Sequence, residues 1–127
     1  MTLQVELVSP ERILFSGQAS LVLCRTTEGE IEFLTGHAPF VGALVEYPVR
    51  MQLEDGSTQL AAVHGGIVEV NKDRLVLLCD VAELAAMVDR PRAEQAKAEA
   101  ERRLAQGEDA EAEAALRRAN VRMTVVS

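Results

Sequence analysis

Glu28, Glu30 and Glu32 stand at spacing two just ahead of an imidazole, His37, within the run Glu28–Leu44. In a strand that spacing places all three carboxylates on one face, opposite Ile31 and Phe33. Thr35-Gly36-His37-Ala38-Pro39 then forms a tight corner, because Gly36 admits a positive φ and Pro39 holds Ala38 extended. Carboxylates and imidazoles, with His64 as a second ring, are the raw material of acid–base chemistry. Their placement argues against an enzyme: carboxylates on one strand face are not an opposed acid/base pair, and no nucleophile has a partnered base nearby. The chain also has no G-x-x-x-x-G-K-[ST] stretch, so nucleotide hydrolysis is not expected. A plainer reading makes Glu30 a solvated sandwich carboxylate and His37 a loop residue bonded to backbone.

The second chemistry is cationic. In Val88-Asp89-Arg90-Pro91-Arg92-Ala93 an arginine falls in the first turn of an expected helix, where its fork of donors can meet a phosphate beside free backbone N–H groups. Arg117, Arg118 and Arg122 follow on a second expected helix. The alternative is equally physical: Asp89 caps the helix, and the arginines form a solvated face with glutamates at i,i+4.

These groups need a scaffold, and 127 residues that are 48% hydrophobic provide one domain plus an appendage. Aromatic content of 3% argues against a base-stacking surface, and a net charge of -7 repels nucleic acid and anionic lipid. The charge is segregated: Val88 to Arg122 holds eight acidic and eight basic residues, so the whole negative balance lies elsewhere. No apolar run approaches the roughly 18 residues of a membrane span, and the N-terminus lacks a signal-peptide pattern, so a soluble cytoplasmic chain is expected. Cys24 and Cys79 lie in apolar runs without metal-ligand spacing, so neither a disulfide nor a metal site is expected.

The first two-thirds reads as about ten short strands in an antiparallel β-sandwich, residues 1–86. Alternation predicts strands over Thr2–Val8, Ile13–Phe15, Ala19–Thr26, Phe40–Val45 and Val49–Leu53, with later ones at Leu60–Val63, Ile67–Val70 and Leu75–Leu78. Glu46-Tyr47-Pro48 is read as a break and Asp55-Gly56 as a hairpin turn. Residues 87–127 are rich in Ala, Glu and Arg and predict an antiparallel helical hairpin, Pro91–Gln106 and Glu108–Arg122, about Gly107. Its expected stripes, Ala93, Ala96, Ala100 and Leu104 against Ala112, Ala115, Leu116 and Ala119, are thin enough to detach easily.

Five motifs in order give a resemblance from end to end. They are V-S-P-E-R-x-L-F-S-G at Val8–Gly17, E-G-E-I from Glu28, G-H-A-P ending at Pro39, G-G-I-V-E-V at Gly65–Val70, and the neutral Ala-rich hairpin. The chain resembles the epsilon subunits of bacterial and chloroplast F-type ATP synthases. That resemblance implies a non-catalytic rotor subunit of the central stalk, coupling the gamma subunit to the c-ring in proton-driven ATP synthesis. It also implies a hairpin that extends along gamma toward the catalytic alpha/beta head and suppresses hydrolysis.

The implied location is peripheral, at the cytoplasmic face of the cell membrane or the stromal face of the thylakoid. Membrane association would be indirect, with no nucleic-acid partner and no required cofactor. Glu30 and His37 align with family residues facing the c-ring loops, where a carboxylate can meet a basic residue. Val88, Asp89, Arg92 and Ala93 resemble the family's [IL]-D-x-x-R-A signature for regulatory ATP, with Glu83 and Arg122 as further contacts. Arg117, Arg118 and Arg122 are the implied inhibitory contacts. Glu32, Thr35 and Glu46-Tyr47-Pro48 depart from the family's usual Gly, Pro and K-P-G. A free-standing ATP-sensing module would use the same arginines.

Overall fold

A computed structural model describes residues 1–127. Strict alternation of buried and half-buried side chains makes β1 (Leu3–Val8), with Leu3, Val5 and Leu7 fully inside. The expected strands at Ile13 and Ala19 are one 14-residue strand, β2 (Ile13–Thr26), which Ser16-Gly17 does not close. Its first half pairs antiparallel with β1 and its second half with β3 and β5, so β2 passes from one sheet of the sandwich to the other. The remaining strands are β3 (Gly29–Phe33), β4 (Phe40–Leu44), β5 (Tyr47–Leu53), β6 (Thr58–Val63), β7 (Gly66–Asn71), β8 (Arg74–Cys79) and β9 (Ala82–Leu84).

β1, β8, β7 and β4 line up on one side, and β3, β2, β5, β6 and β9 on the other. Nine strands form, and one pair departs from the antiparallel expectation: β1 runs parallel to β8. Local hairpins cannot produce that pairing, since the two strands lie at opposite ends of the sandwich sequence. Pro48 is also within β5 rather than ending a run. It pairs with Ala62 of β6, while pairing to β2 begins only at Arg50, so its missing N–H breaks no ladder bond to β2.

Eighteen buried side chains form the sandwich core, among them Val22, Phe33, Met51, Val63, Val68, Leu75 and Leu77. Cys24 and Cys79 are buried free thiols, and desolvation pushes each up to about 12. Lys72 and Asp73 both have positive φ, 50° and 61°, as a two-residue turn between twisted antiparallel strands requires.

A short 3-10 turn, Ala85–Met87, leads into the hairpin. Helix α1 (Arg90–Leu104) starts one residue earlier than expected because Asp89 caps it, its carboxylate accepting from the Arg92 N–H at 3.1 Å. Helix α2 (Ala110–Val126) starts later, where Asp109 caps it, and ends later because Val121 and Val125 bury against the sandwich. The hairpin seam is narrower than the sequence stripes: Ala93, Ala100, Ala112 and Ala119 are buried, whereas Ala96 is exposed. Arg103 bridges the two helices, bonding the capping Asp109 at 2.7 Å.

Gly66 lies between two partners, Leu44 and Cys79, and a Cβ there would stand 2.1 Å from the Leu78 carbonyl oxygen at φ 133°. Gly66→Ala should therefore destabilise the sandwich by about 4 kcal/mol or more. Gly36 has φ 86° with nothing near the added Cβ, so Gly36→Ala should cost only about 1 kcal/mol. Urea unfolding of both variants checks the contrast.

Candidate functional site

The cationic residues converge where the hairpin meets the sandwich. A cleft of about 430 Å³ is lined by Glu83 of β9, Met87 of the 3-10 turn, Asp89, Arg92, Ala93 and Ala96 at the start of α1, and Arg122 of α2. Thus Glu83, Asp89, Arg92, Ala93 and Arg122 are brought together from three elements. Val88 is not in the lining; its side chain packs on the apolar cluster of Ala62, Val121 and Val125. Met87 and Ala96 carried no sequence signal for this cleft, and Ala96 reads on periodicity as a seam residue.

The electrostatics separate the two arginines. Arg122 is committed, its Nε donating to Glu83 at 2.5 Å with both side chains about three-quarters buried. The Arg92 guanidinium is exposed and makes no side-chain bond. The start of α1 is a poorer anion site than the sequence implies. Asp89 takes the Arg92 N–H with its carboxylate and the Ala93 N–H with its carbonyl, and Pro91 has no N–H, which leaves only that of Arg90. A phosphate here would be held by guanidinium groups rather than by a helix end.

A larger and shallower depression, about 620 Å³, is lined by Arg25, Leu44, Val45, Glu46, Tyr47, Gly65 and Arg117. Its cations are occupied: Arg117 Nε donates to Glu46 at 2.9 Å, and the Arg25 guanidinium sits 5.7 Å from the centre of the Tyr47 ring. The 430 Å³ cleft, with one free guanidinium, is therefore the better anion site. Arg118 is half-buried and makes no ion pair. Of the three α2 arginines, Arg117 and Arg122 are clipped to carboxylates of the sandwich.

Glu30 and His37 lie at opposite ends of β3 and do not form one cluster. Glu30 and Glu32 are exposed and Phe33 is buried, as alternation requires, whereas Glu28 belongs to the preceding turn rather than to the strand. Glu30 sits across from Arg25 in the β2–β3 ladder, and its hydrogen bond holds the Tyr47 phenol above its ordinary range. The His37 ring rests on aromatics, 4.8 Å from Phe33 and 6.2 Å from Phe40 between ring centres. Its Nδ1 is 2.7 Å from the Ala38 carbonyl oxygen, so Nδ1 carries the donated proton and Nε2 is the acceptor of the neutral ring. The loop itself is anchored, because the Gly36 N–H donates to the Asp73 carboxylate at 2.8 Å.

One apolar feature has no counterpart in the linear pattern. Across the outer face of one sheet, Ile13 pairs with Val8, Val8 with Leu78, Leu78 with Ile67, and Ile67 with Ala43. Ile13, Ile67 and Leu78 are each about half exposed, and Val41 lies beside the row at 67%. Aligned apolar side chains spanning five strands are more than the scattered exposure normal for a surface. No helix of the protein is long and apolar enough to cross a membrane.

Comparison with known proteins gives this geometry a lineage. The beta-sandwich domain of the ATP synthase delta/epsilon chain matches residues 2–85, and the long alpha-helix domain of the same chain matches residues 88–127. The ATP synthase epsilon chain of Streptomyces avermitilis is 47% identical over 125 residues, covering 98% of this chain and 95% of its own. That of Clostridium novyi is 37% identical over 128 residues, covering 98% of each. Among solved structures, a chain of the Euglena gracilis mitochondrial ATP synthase, OSCP/F1/c-ring, superposes with a TM-score of 0.84 at 21% identity. The match covers 99% of this chain and 82% of that one, and shows the shared fold. Sandwich, hairpin and near-full-length identity agree: the chain belongs to the ATP synthase delta/epsilon chain family, among the epsilon chains.

Proposed function

We propose that this epsilon chain is a non-catalytic rotor subunit of the central stalk, coupling the gamma subunit to the c-ring and restraining ATP hydrolysis with its hairpin. The observation that carries the reading is how weakly the hairpin is attached. The sandwich closes on eighteen buried residues, whereas the hairpin meets it through three, Ala62, Val121 and Val125, and two ion pairs. Burying a valine contributes about 1.5–3 kcal/mol, and a partly exposed ion pair about 1 kcal/mol or less. An attachment of that size lets the arm open without unfolding the body. Release frees Arg117 and Arg122, which together with Arg118 present cations to acidic surfaces of the catalytic alpha/beta head.

The apolar row centred on Leu78 and Ile67 fits gamma, since a permanent rotor contact buries apolar surface. Glu30 and the Nε2 of His37 would meet the polar loops of the c-ring. On this reading the chain sits against the membrane sector, at the cytoplasmic face or its stromal equivalent, through its partners. The same row favours a docked subunit over a free-standing ATP sensor, which has no use for it. Co-purification with gamma and the membrane separates the two.

Within this reading ATP is a regulatory ligand of the 430 Å³ cleft. Arg92 and Arg122 take the phosphates, Glu83 gives up part of its hold on Arg122, and Val88 positions the start of α1. Two charge-assisted contacts of about 1.5–3 kcal/mol each correspond to dissociation constants around the millimolar range. Because the cleft exists only while the hairpin is docked, ATP stabilises the docked arm and relieves inhibition.

Titration calorimetry of the isolated chain should show saturable ATP binding that is lost in Arg92→Ala and after truncation at Ala86. Heats that persist in both variants would place the nucleotide elsewhere, and absence of heat would remove ATP from the mechanism. Charge reversal at Arg117, Arg118 and Arg122 together should raise ATP hydrolysis by the assembled complex; an unchanged rate would count against the inhibitory role. A double-mutant cycle of Arg122→Ala with Glu83→Ala should give a coupling of about 1 kcal/mol in hairpin docking, and the more exposed Arg117–Glu46 pair about half that. Hydrogen exchange along α2 measures both.

A further inference from the structure

The two nitrogens of the His64 ring are buried without a hydrogen-bond partner, in a side chain only 7% exposed. His64 follows directly on β6, the strand whose Ala62 forms the apolar contact with α2, and its backbone N–H donates to the Val81 carbonyl at 2.9 Å. The charges of groups from three elements act on the ring: Arg118 and Arg122 of α2, Glu83 of β9, and Glu46 of the β4–β5 loop. Both carboxylates already hold α2, Glu83 through Arg122 and Glu46 through Arg117.

We propose that His64 makes hairpin docking sensitive to pH, protonation of its ring releasing α2 from the sandwich. The proposal rests on the reading of the hairpin as a releasable arm. A neutral imidazole can stay buried at the cost of unpaired nitrogens, but an imidazolium carries two N–H donors and a charge that must be compensated. The carboxylates whose charge favours its proton are the two that latch the hairpin. If Glu83 or Glu46 turns to His64, an α2 arginine loses its partner; if neither does, the new cation is left facing Arg118 and Arg122. Both responses loosen the same helix.

Burial, and next the charge of Arg122, hold the docked ring down to about 4, against the opposing pull of Glu83 and Glu46. Once α2 lifts and the ring meets water, it takes its proton at the ordinary value of 6.5. The docked state thus has the lower value, so docking is at full strength above pH 6.5 and is lost as pH falls from 6.5 toward 4. Between pH 8 and pH 5 the docking equilibrium should weaken about 30-fold. Acidification then drives the arm toward its extended, hydrolysis-suppressing state, independently of nucleotide.

The test is hydrogen exchange of α2 amides in the full chain from pH 8 to pH 5, corrected for intrinsic exchange, in wild type and His64→Gln. Wild-type α2 should lose about 30-fold in protection relative to the core strands, and His64→Gln should flatten that dependence. An equal loss in His64→Gln would assign the effect to the carboxylates and overturn the proposal. So would α2 that opens in wild type equally at pH 8 and pH 5, although that result leaves the releasable arm standing. An α2 that never exchanges faster than the sandwich would remove both. Should His64→Gln fail to fold, NMR titration of the wild-type His64 ring decides. A midpoint far below 6.5 while α2 is protected supports the switch, and one near 6.5 sinks it.

Discussion

Everything distinctive about this chain depends on a contact with very little apolar area, that between α2 and β6. Ala62, Val121 and Val125 form its buried part, with Leu60, Ala85, Val88 and Val126 around it. The sandwich needs nothing from the hairpin, because its own core closes between two sheets and shares no buried residue with the smaller cluster. The two valines contribute more to that attachment than the ion pairs do, but the ion pairs set the hairpin's orientation through side chains that water and other anions can compete for. The cleft, the latched arginines and the buried imidazole all lie on that boundary. A firmer apolar seam would have made each of them a static feature.

Much of the architecture is visible in local patterns, where the local physics is strong. The period-two alternation of β1, the turn residues at Asp55-Gly56 and Asn71-Lys72-Asp73, and the shift to helix formers after Met87 each report on residues close in sequence. Pairing between distant segments does not. Nothing in Leu3–Val8 or Arg74–Cys79 announces that the two run parallel, and Ser16-Gly17 reads as a stop although β2 continues because each of its halves finds a different sheet. Pro48 misleads for the same reason, since its tolerance depends on which neighbour is absent.

The candidate site divides along similar lines. Asp89, Arg92 and Ala93 are neighbours in sequence and take neighbouring positions at the start of α1, and the cap at Asp89 is legible from its place before the helix, but the role of Val88 depends on fold. Asp89 spends its carboxylate on a helix cap, and Val88 packs on α2 and β6. Glu83 meets Arg122 across 39 positions, a pairing that charge alone does not single out among 20 acidic and 13 basic residues. The row from Ile13 to Ala43 is invisible one strand at a time, because each strand exposes only one or two of its members. Ala96 shows how an alanine stripe at helical spacing overstates a seam, since the rotation of the helix decides which alanines face the partner.

The parallel pairing of β1 with β8 also orders events during synthesis. β1 leaves the ribosome first, and β8 cannot reach it until the chain as far as Cys79 has emerged. A contact of that sequence separation carries a large loop-closure entropy and belongs to slowly closing β topologies. Until it forms, β1 has an unpaired edge beside the long strand β2, the kind of surface that invites association with other nascent chains. The hairpin follows entirely after that point in the chain. It is made of local contacts that form fast, so the hairpin is added to a body that can already have closed.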